Sequence, residues 1–297
     1  MKRNTVFALH SSALTALFIL GNGVVIFPIK GADEYNFLGY IIAGAVAFLL
    51  YLCAIPVINR LYAPKVCNKF YMKLIFTVIY LLTAVFALML AVNTFMDFTL
   101  FAGDVLLHDF PLWVAVLLFL LTVLFFAFRR QEDFLKFALI SFCFTAGVII
   151  FFFIASFKRF NFDNIIILNI PDFGEIYPQI KNYIVNPLLS ALLIGVYEVC
   201  VFKKVRKRNT FWGLGAGLIL LGICILSSVL LFGARLSAVL DYPYASAIST
   251  VTIGRLFTRL DGFSYFVYFS ACLTRITVCL YLVWTMLKRS DSLYTSK

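Results

Sequence analysis

Gly21-Asn22-Gly23-Val24-Val25-Ile26-Phe27-Pro28 interrupts the first long apolar segment of this chain, and Gly195-Val196-Tyr197-Glu198 sets a glycine and a carboxylate inside the sixth. Gly21 and Gly23 let the backbone leave a helix without a Cβ penalty, and Asn22 supports local hydrogen bonds to the groups released. In hydrocarbon those freed N–H and C=O groups must meet protein, water or ligand. Corresponding breaks in two halves of a membrane chain therefore predict one small-solute site near mid-membrane, with freed amides and a half-helix N-terminus offered to a carboxylate. The plainer alternative is a packing notch, because glycine is common where membrane helices touch.

The rest of the chain supplies the setting. Hydrophobic residues fill 63% of the 297 positions and charged residues only 13%, which excludes a soluble globular domain. Segments 5–28, 37–59, 71–101, 111–128, 134–157, 183–202, 210–234 and 260–287 predict eight spans in a single all-α, polytopic transmembrane domain covering 1–297. The net charge of +11 does not mark a nucleic-acid partner, since the basic residues are scattered through short connections. Followed along the eight spans, 17 Lys and Arg fall on the side that holds both termini and 7 on the other, with Arg275 inside the last span. That bias predicts cytoplasmic N- and C-termini. Met1-Lys2-Arg3 and the following apolar run read as a retained first helix, because no small-residue cleavage site precedes Pro28. The polar, proline-broken stretch 158–182 is expected to run along the outer surface. Residues 235–259 are expected to hold a short interfacial helix.

Few side chains carry chemistry. The predicted ligand contacts are Gly21, Asn22, Gly23, Val24, Asn93, Gly195, Tyr197 and Glu198. Glu198, Arg275 and Asp261 are the candidates for proton coupling or charge pairing. Glu198 reads equally as a structural brace. Arg275 either pairs with Glu198 or extends toward a headgroup region. Asn93, with Thr94 and Asp97 a turn on, is either a cavity wall or a bond between helices; His10 reads as a packed or interfacial histidine. The seven cysteines lie almost wholly in apolar segments with no CxxC pair, so neither a metal site nor a disulfide framework is expected. No catalytic arrangement and no cofactor motif occurs, and an enzyme is not expected.

Gly21-Asn22-Gly23 resembles the Gly-x-Gly break in the first helix of the amino acid, polyamine and organocation transporter superfamily, and Gly195-Val196-Tyr197-Glu198 resembles its Gly-Phe-Glu signature in the sixth. Within it, Leu106-Leu107-His108-Asp109-Phe110-Pro111-Leu112-Trp113, Phe128-Arg129-Arg130-Gln131-Glu132-Asp133, Asp241-Tyr242-Pro243 and Phe257-Thr258-Arg259-Leu260-Asp261-Gly262-Phe263 resemble the permease-like B subunit of spore germinant receptors. Asp261 stands where that family usually has Glu, no Gly follows Arg130, and His108 or its neighbour replaces a proline. The resemblance implies a leucine-transporter-like inverted five-helix repeat with helices 1 and 6 broken. Residues 5–157 would form the first repeat, 158–182 an extracytoplasmic loop, and 183–288 a second repeat of three helices where the family has five. It implies a subunit in the cell membrane, specifically the spore inner membrane, that senses an amino acid-like solute and signals to receptor A-like and C-like subunits. An amino acid or cation permease coupled to protons through Glu198, or a structural subunit that binds nothing, are the other readings.

Overall fold

The computed structural model describes residues 2–23, 36–62, 70–106, 111–166, 173–202, 205, 207–240, 242–251 and 261–295. These form α1 (Lys2–Gly23), α2 (Asn36–Tyr62), α3 (Phe70–Phe101), α4 (Leu112–Phe128), α5 (Gln131–Ser156), α6 (Asp163–Ile166), α7 (Phe173–Phe202), α8 (Lys207–Phe232), α9 (Ala234–Val239), α10 (Pro243–Thr250) and α11 (Asp261–Thr295), with no strand among the described residues. Helix is what lipid demands, since it satisfies every backbone group within the segment. Each of the eight apolar segments coincides with a long helix. Five helices are long and apolar enough to cross a membrane, as befits a polytopic membrane protein.

The core is organised around α1 and α11. α1 packs on α5, α7, α8 and α11, while α11 also packs on α3 and α4, and α2 lies along α7. Small residues make the central contacts close. A Cβ on Gly213 would stand 2.6 Å from the Ser12 carbonyl oxygen, and one on Gly217 would stand 3.0 Å from that of Ala16. The two glycines, one turn apart on α8, thus seat α1 backbone to backbone, as small residues do in membrane helix pairs. Aromatic stacking joins α3 to α11, with Phe101 and Tyr268 rings 4.0 Å apart.

Several expected boundaries move. α7 begins at Phe173, inside the stretch expected to be a loop, and it absorbs both Pro178 and Pro187. Prolines in membrane helices are tolerated where neighbours satisfy the freed carbonyls. α3 runs on into one π-helical turn, Ala102–Leu106. Within the 235–259 connection, α10 packs on α8 and α11 and buries Pro243, Tyr244, Ala245, Ala247 and Ile248; residues 252–259 lie outside the described residues. Gly233, at φ 78°, ends α8 in the conformation that glycine adopts most cheaply, and its N–H donates to the Val229 carbonyl at 2.8 Å.

Candidate functional site

Neither interruption breaks a helix among the described residues. α1 is helical through Gly21, Asn22 and Gly23; Val24 to Pro28 lie outside the described residues. α7 runs unbroken through Gly195, Val196, Tyr197 and Glu198, which corrects the expectation of a break in the sixth span. The reason is packing. A Cβ at Gly195 would stand 2.7 Å from the Tyr51 hydroxyl oxygen and 3.2 Å from Ile58 Cδ1. Glycine here makes room for a buried tyrosine of α2, and backbone release is not what it provides.

Glu198 is 1% exposed and holds three helices together. Ser11 of α1 donates its hydroxyl to Oε1 at 2.7 Å, and Thr210 of α8 donates to Oε2 at 2.6 Å. Thr15 donates to the Ser11 carbonyl within α1, and Ser12 donates across to the Asn209 carbonyl of α8, both at 2.9 Å, so α1 and α8 are tied to each other beside the carboxylate as well as through it. A carboxylate that accepts from two hydroxyls has its charge spread into a built polar pocket. Tyr197, also 1% exposed, turns the other way and meets Tyr281 of α11 edge-on at 5.3 Å.

Arg275 belongs to a different place. It is fully buried, at 0% exposure, so it does not extend to a headgroup. Its Cβ lies 3.5 Å from where a Cβ on Gly21 would be, and its guanidinium sits 5.9 Å from the centre of the Phe18 ring. The half-buried Asp97 of α3 lies within electrostatic reach of it, as does the Cys272 thiol one turn away. Glu198 meets α1 at Ser11 and Arg275 meets it at Gly21. That ten-residue difference is about 15 Å of helix rise, so the expected Glu198–Arg275 pair gives way to two separate charged centres at different depths.

Close approach explains Gly21 as well: a Cβ there would meet the Ala271 carbonyl oxygen at 2.8 Å. The structure therefore brings together Gly21, Asp97 and Arg275, and separately Gly195 and Glu198. Asn93 joins neither group, because it faces outward from α3. Asp261 opens α11. The side chains of Asn22, Asp261 and His108 are outside the described set, as is all of Val24. Sequence reasoning missed Ser11, Thr210, Tyr51 and Phe18. The cluster Ser11, Ser12 and Thr15 in an apolar helix was the available signal for a buried acceptor. Two apolar grooves, of about 400 Å³ between α2 and α8 and about 430 Å³ between α5 and α11, are lined by none of these charged residues. No group of three His, Cys, Asp or Glu residues suited to a metal occurs among the described residues.

A family model described as spore germination protein matches residues 5–290. None of the curated proteins and none of the solved structures matches the chain. With nearly its whole length covered, the chain belongs to the spore germination protein family and is a germination-related, permease-like membrane protein.

Proposed function

We propose, taking that membership as the premise, that the protein is the sensing subunit of a germinant receptor. In this reading it binds a small amino acid at the end of α1 and passes a change of helix arrangement to partner A-like and C-like subunits in the spore inner membrane, with both of its termini in the cytoplasm. The observation that carries the reading is Arg275, wholly buried beside Gly21 with Asp97 as counter-charge. An arginine kept in the interior of a membrane protein marks a functional position. A guanidinium suits a carboxylate in two parallel bonds, and a carboxylate suits an ammonium. The pair together offers complements to both ends of a zwitterion.

Ligand would act by favouring one arrangement of α1 against α3 and α11 over another, since only differential affinity shifts a conformational equilibrium. Glu198 serves as the brace that keeps α1, α7 and α8 together while this happens. Equilibrium binding of an amino acid panel to the purified chain tests it. Saturable binding that weakens at least tenfold in Arg275→Gln and in Asp97→Asn is the expected result. No binding by any member of the panel, or equal binding in both variants, removes the proposal and leaves a structural subunit.

A further inference from the structure

α3 carries a polar group that no described residue of the chain answers. Its four threonines, Thr77, Thr83, Thr94 and Thr99, each donate their hydroxyl to the carbonyl four residues earlier at 2.8–2.9 Å. Asn93, on the same helix, makes no side-chain hydrogen bond to any described residue and is exposed. It is also deep. The apolar stretch runs from Tyr71 to Asp104, which leaves Asn93 about 16 Å of helix rise from its nearer end, inside the hydrocarbon. A primary amide has two N–H donors and a carbonyl acceptor, and lipid tails can satisfy none of them.

The face on which it sits has a regular spacing. Ile75, Ile79, Leu82, Phe86, Met89, Asn93, Met96 and Leu100 alternate steps of four and three residues, and all but the half-buried Ile79 are exposed, Met89 and Met96 at 58% each. The seam of a left-handed helix pair has that spacing, and a lone asparagine in such a seam fixes register and partner; Asn93 is what singles this face out from the equally spaced and exposed Leu74, Val78, Leu81, Val85, Leu88 and Val92.

We infer that this face of α3 packs against the same face of a second copy of the chain, with the two Asn93 amides bonded to each other across a two-fold axis normal to the membrane. Such an axis places identical residues at identical depth. An amide both donates and accepts, so its own copy completes it, and the heptad seam is self-complementary by construction.

Subunit counting by single-molecule photobleaching of the labelled full chain in liposomes tests this. Wild type is expected to bleach in two steps. Asn93→Val should weaken association roughly three- to thirtyfold, and Asn93→Gln should retain it. In a chain whose own cysteines are replaced, Met89→Cys and Met96→Cys should form disulfide-linked dimers on oxidation, whereas Leu81→Cys and Leu88→Cys, exposed on a neighbouring face, should not. If the cysteine-free chain does not fold, the bleaching comparison decides alone. Single-step bleaching of wild type, a dimer indifferent to Asn93→Val, or a Met96→Cys adduct with a different protein in native membranes each overturns the inference.

Discussion

Glu198 and Arg275 are buried to almost the same degree and treated in opposite ways. The glutamate has each oxygen committed to a hydroxyl from a different helix, Ser11 on α1 and Thr210 on α8. The arginine is met by an aromatic face, a glycine that lets α1 close in, and the half-buried carboxylate of Asp97. One arrangement joins a carboxylate to two hydroxyl donors; the other sets two opposite charges within electrostatic reach of each other, where the proposed zwitterion would bind. Burial of a charge in a membrane protein therefore does not by itself name its role, and the partners do.

The comparison breaks first at Arg275. Arg275→Met should cost ligand affinity about 3 kcal/mol, over a hundredfold, as loss of one partner of a buried charge pair does. Unfolding stability of the same variant should fall as well, because Asp97 is left without its counter-charge; adding Asp97→Asn should recover that stability without recovering ligand affinity. Recovery of both, or of neither, would undo the separation of binding from bracing at Arg275. Next comes Gly213→Leu, which drives a side chain into the Ser12 backbone. It should destabilise the α1–α8 contact by about 2–3 kcal/mol, read as a lower unfolding temperature in detergent.

Glu198→Ala should cost about 2 kcal/mol of stability by removing two charge-assisted bonds, while ligand affinity, corrected for the folded fraction, stays within about twofold. A larger change in affinity would move Glu198 into the ligand site and undo the contrast. The smallest effects sharpen it: Ser11→Ala and Thr210→Val should each cost about 1 kcal/mol. Neither should add appreciably to Glu198→Ala, because all three act through the same joint, and a double-mutant cycle measures this.

The long apolar helices were legible from the sequence because hydrocarbon imposes one length and one composition on whatever crosses it. That Arg275 lies within the last long helix was legible for the same reason. The continuity of α7 was not. A glycine in a membrane helix either releases the backbone or admits a neighbour, and at Gly195 the choice is made by Tyr51, 144 positions away in the chain. The direction of Asn93 was hidden too, since a helix apolar all round gives no periodic sign of which face is buried. The brace reading of Glu198 was open in the sequence, but its donors sit on α1 and α8, and only the packing of those helices brings them to it.

The central place of α1 has a consequence for how the protein is made. Ser11 finds its acceptor 187 residues later in the chain, and Ser12 finds the Asn209 carbonyl after 197. At ordinary synthesis rates of 5–20 residues per second, the first helix to leave the ribosome waits roughly 10–40 s for these partners. During that interval its serines, Thr15 and His10 face lipid or the insertion machinery. The helix at the centre of the finished bundle thus enters the bilayer with its polar side chains unanswered, and they are answered only when α7 and α8 arrive.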